Sequence, residues 1–200
     1  MSFGDLTVRA FTDALAEGSP TPGGGAAAAL TGATAAALAE MVCNVTLGDD
    51  ADAELVERRD ELGELRDTLF DLADEDAAAF DGVLEAYRRP SDDPERAAAI
   101  EAAMTEAAEV PLRTAAACLE VIEHAAAVAE AGNQNAVTDA GAGVLLGRAA
   151  LEAALYNVDV NLASLEDEAT IERLAERRET LSTEAAAVVD RLETHLASAL

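Results

Sequence analysis

The sequence predicts an all-α fold, a single domain over residues 1–200 that forms a bundle of about six helices and dimerises. Half of the 200 residues are hydrophobic, but only 3% are aromatic, and alanine replaces the β-branched and aromatic residues on which sandwiches and barrels depend. Apolar residues recur at helical spacing, and no stretch alternates with the period of a strand. Breaks rich in glycine and proline separate the periodic stretches.

The first two helical segments are divided by a decisive break. Segment 5–16 carries its apolar residues along one stripe, which is typical of an amphipathic helix. A run of glycine, proline and small polar residues over 18–25 ends it. Segment 26–47 is apolar nearly all round until Glu40, which predicts a buried, central helix.

Four further segments follow with short connections. Segment 53–87 is a long amphipathic helix, and the next, 95–131, contains Pro111, which predicts a kink or a short restart. Segment 136–162 is apolar and rich in glycine, so a neighbouring backbone can approach it closely. Segment 166–200 is charged and amphipathic.

Two of these segments are apolar on more sides than one small bundle can cover. They are 26–47 and 136–162, and an exposed apolar remainder usually marks a partner interface. We therefore predict a homodimer. Cys43 and Cys118 both lie in apolar helical stretches and are interpreted as small buried hydrophobic residues.

The charge balance is strongly acidic. The chain has 40 Asp and Glu against 13 basic residues, all of them Arg, for a formal net charge of −27. Nucleic acid is excluded as a partner because phosphate contacts need a basic face. Molar salt shortens the Debye length to about 3 Å and screens such self-repulsion, so we predict a halophilic protein. We expect a cytoplasmic location without membrane contact, since no secretory signal and no uninterrupted membrane-length apolar run is visible.

A glycine loop, residues 20–25, stands out against the alanine background. Its backbone N–H groups lie at the start of a helix, where the helix dipole favours an anion or a polar ligand edge. It is neither a Walker A motif nor a dinucleotide fingerprint, because no Gly-Lys-Ser/Thr follows and no strand precedes it. A tight turn that lets the helix pack closely explains the same glycines, and both interpretations stay open.

An asparagine segment, residues 132–141, begins the fifth helical stretch. Its polar side chains include Asn133, Asn135 and Asp139. An N-cap and a favourable first-turn acid account for one Asn and the Asp, but not for the whole cluster. Asn157 and Asn161, four residues apart, add two polar groups to one face at the far end of the same helix.

Four segments occur in a fixed order along the chain. They are Pro20-Thr-Pro-Gly-Gly-Gly25 before an Ala-rich helix, Asp76-Ala-Ala-Ala-Phe80, Gly132-Asn133 through Asn135-Ala-Val-Thr-Asp139, and Asn157-Val-Asp-Val-Asn161-Leu162. These segments resemble the signature of the formiminotransferase-cyclodeaminase C-terminal domain family. The resemblance covers nearly the whole chain. It implies an all-helical, dimeric enzyme that acts on tetrahydrofolate one-carbon units, with no metal and no bound cofactor.

The resemblance implies one of two reactions. We expect a methenyltetrahydrofolate cyclohydrolase, which hydrolyses 5,10-methenyltetrahydrofolate to 10-formyltetrahydrofolate. The alternative is a formiminotetrahydrofolate cyclodeaminase, which releases ammonia. Cyclodeaminases commonly accompany a formiminotransferase domain, for which 200 residues leave no room, and this favours the cyclohydrolase. A second alternative is a non-catalytic folate-binding or structural helical bundle.

Hydrolysis of the cationic methenyl bridge needs a carboxylate that stabilises the cation and accepts a proton from water. Asp139 is the first candidate and Asp76 the second, although Asp76 also fits a solvated acidic surface. Asn133 and Asn135 are expected to orient water and the pterin edge.

Further substrate-binding candidates come from the other motifs. Pro22, the Gly23, Gly24 and Gly25 backbone, Asn157 and Asn161 are expected to contact substrate. Arg88 and Arg89 are candidates for pairing with the glutamate tail of folate, as are Arg113 and Arg148. His124 and His195 lie in no motif and are interpreted as ordinary surface or helix-face residues.

Overall fold

A computed structural model of the chain describes residues 2–47, 52–131 and 133–199. The side chains of Gln134, Glu193 and residues 195–199, and with them that of His195, lie outside the description. The helices are α1 Val8–Ala16, α2 Gly24–Thr46, α3 Ala53–Arg88, α4 Arg96–Ala131, α5 Val137–Leu162 and α6 Glu168–Ala199. Short 3-10 turns at Phe3–Asp5 and Gln134–Ala136 complete the regular elements of the described ranges. The all-α prediction is confirmed.

The starts of α1 and α2 differ from the prediction, the first for a local reason and the second because of a contact with a distant part of the chain. The predicted start at Asp5 is wrong, because α1 begins at Val8, after Thr7, whose hydroxyl accepts a hydrogen bond from the Ala10 N–H at 3.1 Å. Helix α2 begins two residues earlier than predicted, inside the glycine loop. Its N-cap, Gly23, has no side chain to cap the helix, so another part of the chain must satisfy the first N–H groups.

Helix α2 lies at the centre of the bundle, as predicted, and packs against α3, α4 and α5. Close approach depends on missing side chains. A Cβ on Gly32 would lie 2.7 Å from the Cys118 sulfur, and one on Gly147 would lie 2.9 Å from a side-chain carbon of Ile122. Cys43 and Cys118 are buried free thiols, which confirms their interpretation. Helix α2 is long and apolar enough to cross a membrane, but 56% of its most apolar stretch is buried inside the fold.

The long helices alternate in direction, which gives the bundle two distinct ends. Gly24 lies beside Asn157, whereas the N–H of Asn133 donates to the hydroxyl of Thr46 at 2.9 Å, so α2 and α5 are antiparallel. We call the end with the glycine loop the glycine-loop end and the end with Asn133 the asparagine end. The α2 helix that joins them is about 33 Å long.

Candidate functional site

A cavity of about 310 Å³ opens at the glycine-loop end. Four parts of the chain meet there, namely the glycine loop and helices α3, α4 and α5. The lining residues are Pro20, Thr21, Gly23, Gly24, Gly25, Asp76, Ala79, Phe80, Val83, Met104, Ala107, Asn157 and Asn161. Three of the four sequence motifs therefore converge on one cavity, although more than 130 residues of sequence separate the first from the last.

Asp76 caps α2 from a different helix. Its Oδ2 accepts a hydrogen bond from the N–H of Ala26 at 3.0 Å. The carboxylate therefore lies at the N-terminus of α2, where the helix dipole stabilises a negative charge. A Cβ on Gly25 would overlap this carboxylate. Gly25 is thus a glycine because Asp76 occupies the space beside it, and this adds a second explanation to the helix-packing interpretation of the loop.

Partial burial makes the Asp76 carboxylate a better proton acceptor. Desolvation raises the pKa of the Asp76 carboxyl above its ordinary value, and the hydrogen bond from Ala26 offsets part of that rise. A carboxylate with a raised pKa is a stronger proton acceptor than one on the surface. Asp76 is thus half-buried in the wall of the cavity rather than fully solvated, and its catalytic role stays a prediction.

Asn157 and Asn161 supply amide groups to the same cavity. The Nδ2 of Asn157 donates to the carbonyl of Ala153 in its own helix at 2.9 Å. The Nδ2 of Asn161 instead donates across to the carbonyl of Ala107 in α4 at 2.6 Å. Because one N–H of each amide is held, the Oδ1 atom and the second N–H remain for a ligand.

Part of the cavity lining is apolar. It is formed by Phe80, Val83 and Met104, and the ring of Phe80 is 38% exposed. Phe80 ends the Asp76–Phe80 motif, but the sequence did not predict that its ring lines the cavity. Met104 and Ala107 were missed altogether, because one Met and one Ala in an Ala-rich amphipathic helix carry no signal in the sequence.

The asparagine segment lies at the other end of the molecule. The N–H of Asn133 bonds Thr46, and its Oδ1 accepts from the N–H of Asn135 at 2.9 Å, so it acts as a local cap. Asp139 is half-exposed in the first turn of α5. It is separated from Asn157 by about 27 Å of helix. Within one chain, the structure does not bring Asp139, Asn133 or Asn135 to the cavity that contains Asp76.

The remaining candidates lie outside the cavity lining. Pro22 is buried within the loop that forms one wall. Arg88 and Arg89 are exposed at the end of α3, about 18 Å along the helix from Asp76. Arg89 is paired with Asp93 at 3.2 Å. Arg113 bridges Glu75 at 2.8 Å and Glu106 at 2.9 Å on the outer side of α3 and α4. Binding of the folate tail by any of these arginines stays a prediction.

The electrostatic character of the cavity suits a cationic centre. Among its described lining residues, Asp76 is the one ionisable side chain, and no Arg or His is among them. In the described part of the chain, no group of three or more His, Cys, Asp or Glu side chains is arranged to hold a metal ion. The arrangement can bind a flat polar ring edge through amides, cover it with an apolar wall, and place a carboxylate near a positive or proton-donating atom.

The family follows from this fold and from its sequence. Residues 7–180 match the family described as formiminotransferase-cyclodeaminase. This chain belongs to that family.

Individual relatives make the relationship more specific. The chain is 42% identical to a methenyltetrahydrofolate cyclohydrolase of Methylorubrum extorquens, over 94% of this chain and 95% of that protein. It is 30% identical to the mouse formimidoyltransferase-cyclodeaminase, of which it spans 37%. Among solved structures, the formiminotetrahydrofolate cyclodeaminase of Thermotoga maritima superimposes with a TM-score of 0.90 at 31% identity, covering 98% of both chains.

Proposed function

We propose that this protein is a methenyltetrahydrofolate cyclohydrolase that converts 5,10-methenyltetrahydrofolate to 10-formyltetrahydrofolate. The observation that carries the proposal is the half-buried carboxylate of Asp76, bonded to the N–H of Ala26 inside a cavity that also presents two asparagine amides. The relative with 42% identity over nearly the whole of both chains bears the same activity in its name.

The bridge carbon of the substrate lies between two nitrogens and shares a positive charge with them. The Asp76 carboxylate stabilises this cation and accepts a proton from a water molecule as the water oxygen bonds to the bridge carbon. In the resulting adduct the carbon carries a hydroxyl group. The bond from the carbon to N5 then breaks, the hydroxyl proton leaves to form the formyl C=O, and Asp76 returns its proton to N5. One proton is released to solvent overall, and the formyl group stays on N10.

The other groups of the cavity hold the substrate. Asn157 and Asn161 bond the polar edge of the pterin through the atoms that their own hydrogen bonds leave available. Phe80, Val83 and Met104 pack against its faces. The backbone N–H groups of the glycine loop donate hydrogen bonds to a carbonyl oxygen of the substrate.

Cyclodeaminase activity is the second candidate, and the Thermotoga structure specifically favours it. In that reaction N10 attacks the formimino carbon on N5 and ammonia leaves, so the same carboxylate acts on the same one-carbon centre. An assay in about molar KCl distinguishes the candidates. We expect loss of the methenyl absorbance well above the enzyme-free rate, with no ammonia from formiminofolate. Ammonia release without methenyl hydrolysis would establish the deaminase, and folate binding without either turnover would establish a binding protein.

We also propose that the protein is a homodimer in a salt-rich cytoplasm. Helix α5 has an exposed apolar face, because Leu145, Tyr156 and Val160 lie on one side of it and are 60%, 69% and 70% exposed. Leu145→Glu is expected to halve the mass measured by light scattering to that of the 20.6 kDa chain, whereas Leu145→Met leaves it unchanged. A parent protein that is monomeric in molar KCl would refute the dimer.

A further inference from the structure

We propose that Pro111 is a positioning residue for the cavity, because it frees the carbonyl that holds the amide of Asn161. This inference rests on the proposed function for its effect on turnover. Its structural part, the link between Pro111 and Asn161, does not depend on which reaction the protein catalyses.

Helix α4 lacks one backbone hydrogen bond at Pro111. This helix runs from Arg96 to Ala131 and contains Pro111 in its interior. In a regular helix the N–H of residue 111 would donate to the carbonyl of Ala107, four residues earlier. Proline has no N–H, and its ring crowds that carbonyl. The oxygen of Ala107 is therefore left without its helical donor, in a part of the protein where Ala108 is fully buried and Val110 is 1% exposed.

A side chain of α5 replaces the missing N–H donor of residue 111. The Nδ2 of Asn161 on α5 donates to the Ala107 oxygen at 2.6 Å. Ala107 is half-buried, and a carbonyl there without a partner costs free energy, so this bond stabilises the contact between α4 and α5. Asn157, one turn earlier on the same helix, provides the contrast. Its Nδ2 stays within α5 and bonds the carbonyl of Ala153 at 2.9 Å.

The bond between Asn161 and Ala107 joins two residues of the cavity lining. Ala107 and Asn161 line the cavity together with the glycine loop and Asp76. With Nδ2 held by Ala107, the amide plane of Asn161 is fixed and its Oδ1 is kept as an acceptor for substrate. An alanine at position 111 would supply an N–H that competes for the Ala107 oxygen. The Asn161 amide would then lose its fixed orientation although no residue of the cavity had been replaced.

The test is a double-mutant cycle in the full-length protein, with kcat and KM measured for each variant. We expect Pro111→Ala to lower kcat/KM about tenfold, the equivalent of one hydrogen bond of about 1.4 kcal/mol. Asn161→Ala should lower it at least as much. Because Pro111 acts through Asn161, adding Pro111→Ala to Asn161→Ala should change kcat/KM by less than about twofold. Pro94→Ala, an exposed proline in the loop before α4, is the control and should leave kcat/KM unchanged.

A second readout does not need activity. The side-chain amide signal of Asn161 in a ¹⁵N NMR spectrum, assigned by its absence in Asn161→Ala, should exchange slowly with solvent in the parent and faster in Pro111→Ala. If the parent shows no turnover, the proposed function fails while this measurement still decides the inference. Unchanged amide exchange in a folded Pro111→Ala protein, or additive effects in the cycle, would overturn the role given to Pro111.

Discussion

The two ends of the bundle use similar residues in different ways. At the glycine-loop end, Asp76 on α3 and two asparagines on α5 line a shared cavity. At the asparagine end, the Oδ1 of Asn133 accepts a hydrogen bond from the N–H of Asn135, and the backbone N–H of Asn133 donates to the hydroxyl of Thr46. A dense run of polar residues in the sequence can thus be engaged in capping its own helix. Asp76, a single acid at the N-terminus of another helix, lines a cavity and is available as a proton acceptor.

The largest expected effect comes from removing the carboxylate. Asp76→Asn keeps an oxygen that can accept from the Ala26 N–H but loses the proton acceptor and the negative charge. We expect turnover to fall by about 10²–10⁴-fold, the range for loss of general acid–base catalysis, with the circular dichroism spectrum unchanged. Asp81→Asn on the exposed side of α3 is the matched control and should keep full activity. The same replacement of Asp139 tests the other end, where we expect a smaller loss.

A smaller effect is expected from filling the space that Asp76 occupies. Gly25→Ala places a methyl group where the carboxylate lies, so Asp76 must move away from Ala26. We expect a loss of about 1–3 kcal/mol in the free energy of unfolding, together with a drop in turnover of tenfold or more. Gly63→Ala is the control, because nothing lies within 4 Å of that position. It should stabilise α3 by about 0.5–1 kcal/mol. Equal stability in the two variants would contradict the cross-helix cap.

The outcome for the fold shows what the sequence can reveal. The six helices and their order follow from periodicity and from Gly and Pro breaks, which are local signals. The α2 start was missed because its cap, Asp76, is 50 residues away along the chain. The convergence of three motifs was not derivable either, since the alternating directions of α2, α3, α4 and α5 arise from packing. The ranking of Asp139 above Asp76 relied on polar density, which does not report burial.

Salt should affect the whole molecule rather than one end. With a net charge of −27, we expect Tm to rise by about 10 °C or more between about 0.1 M and 3 M KCl. At about 3 °C per kcal/mol for a chain of this size, that corresponds to about 3 kcal/mol. Sucrose at matched osmolality, which does not screen charge, is the control. Full helicity and an unchanged Tm in dilute buffer would refute the halophilic interpretation.

The smallest effect concerns the pH dependence of stability. The folded-state pKa of Asp76 is raised, so the folded protein binds this proton more tightly than the unfolded chain does. Its contribution therefore disfavours folding as pH rises from the unfolded pKa, near 3.9, through the folded pKa. Asp76→Asn removes that contribution, and its Tm relative to the parent should be higher at pH 7 than at pH 4. A difference that shrinks as pH rises would show that the pKa of Asp76 is lowered instead.

The decisive measurement for the role of Asp76 is a structure of the protein bound to a stable folate analogue that mimics the methenyl bridge. We expect the one-carbon centre beside the Asp76 carboxylate, within about 2.6–3.2 Å or one water molecule of it, with the pterin edge on Asn157 and Asn161. A pterin bound at the asparagine end of the same chain, with the cavity around Asp76 left open, would contradict it.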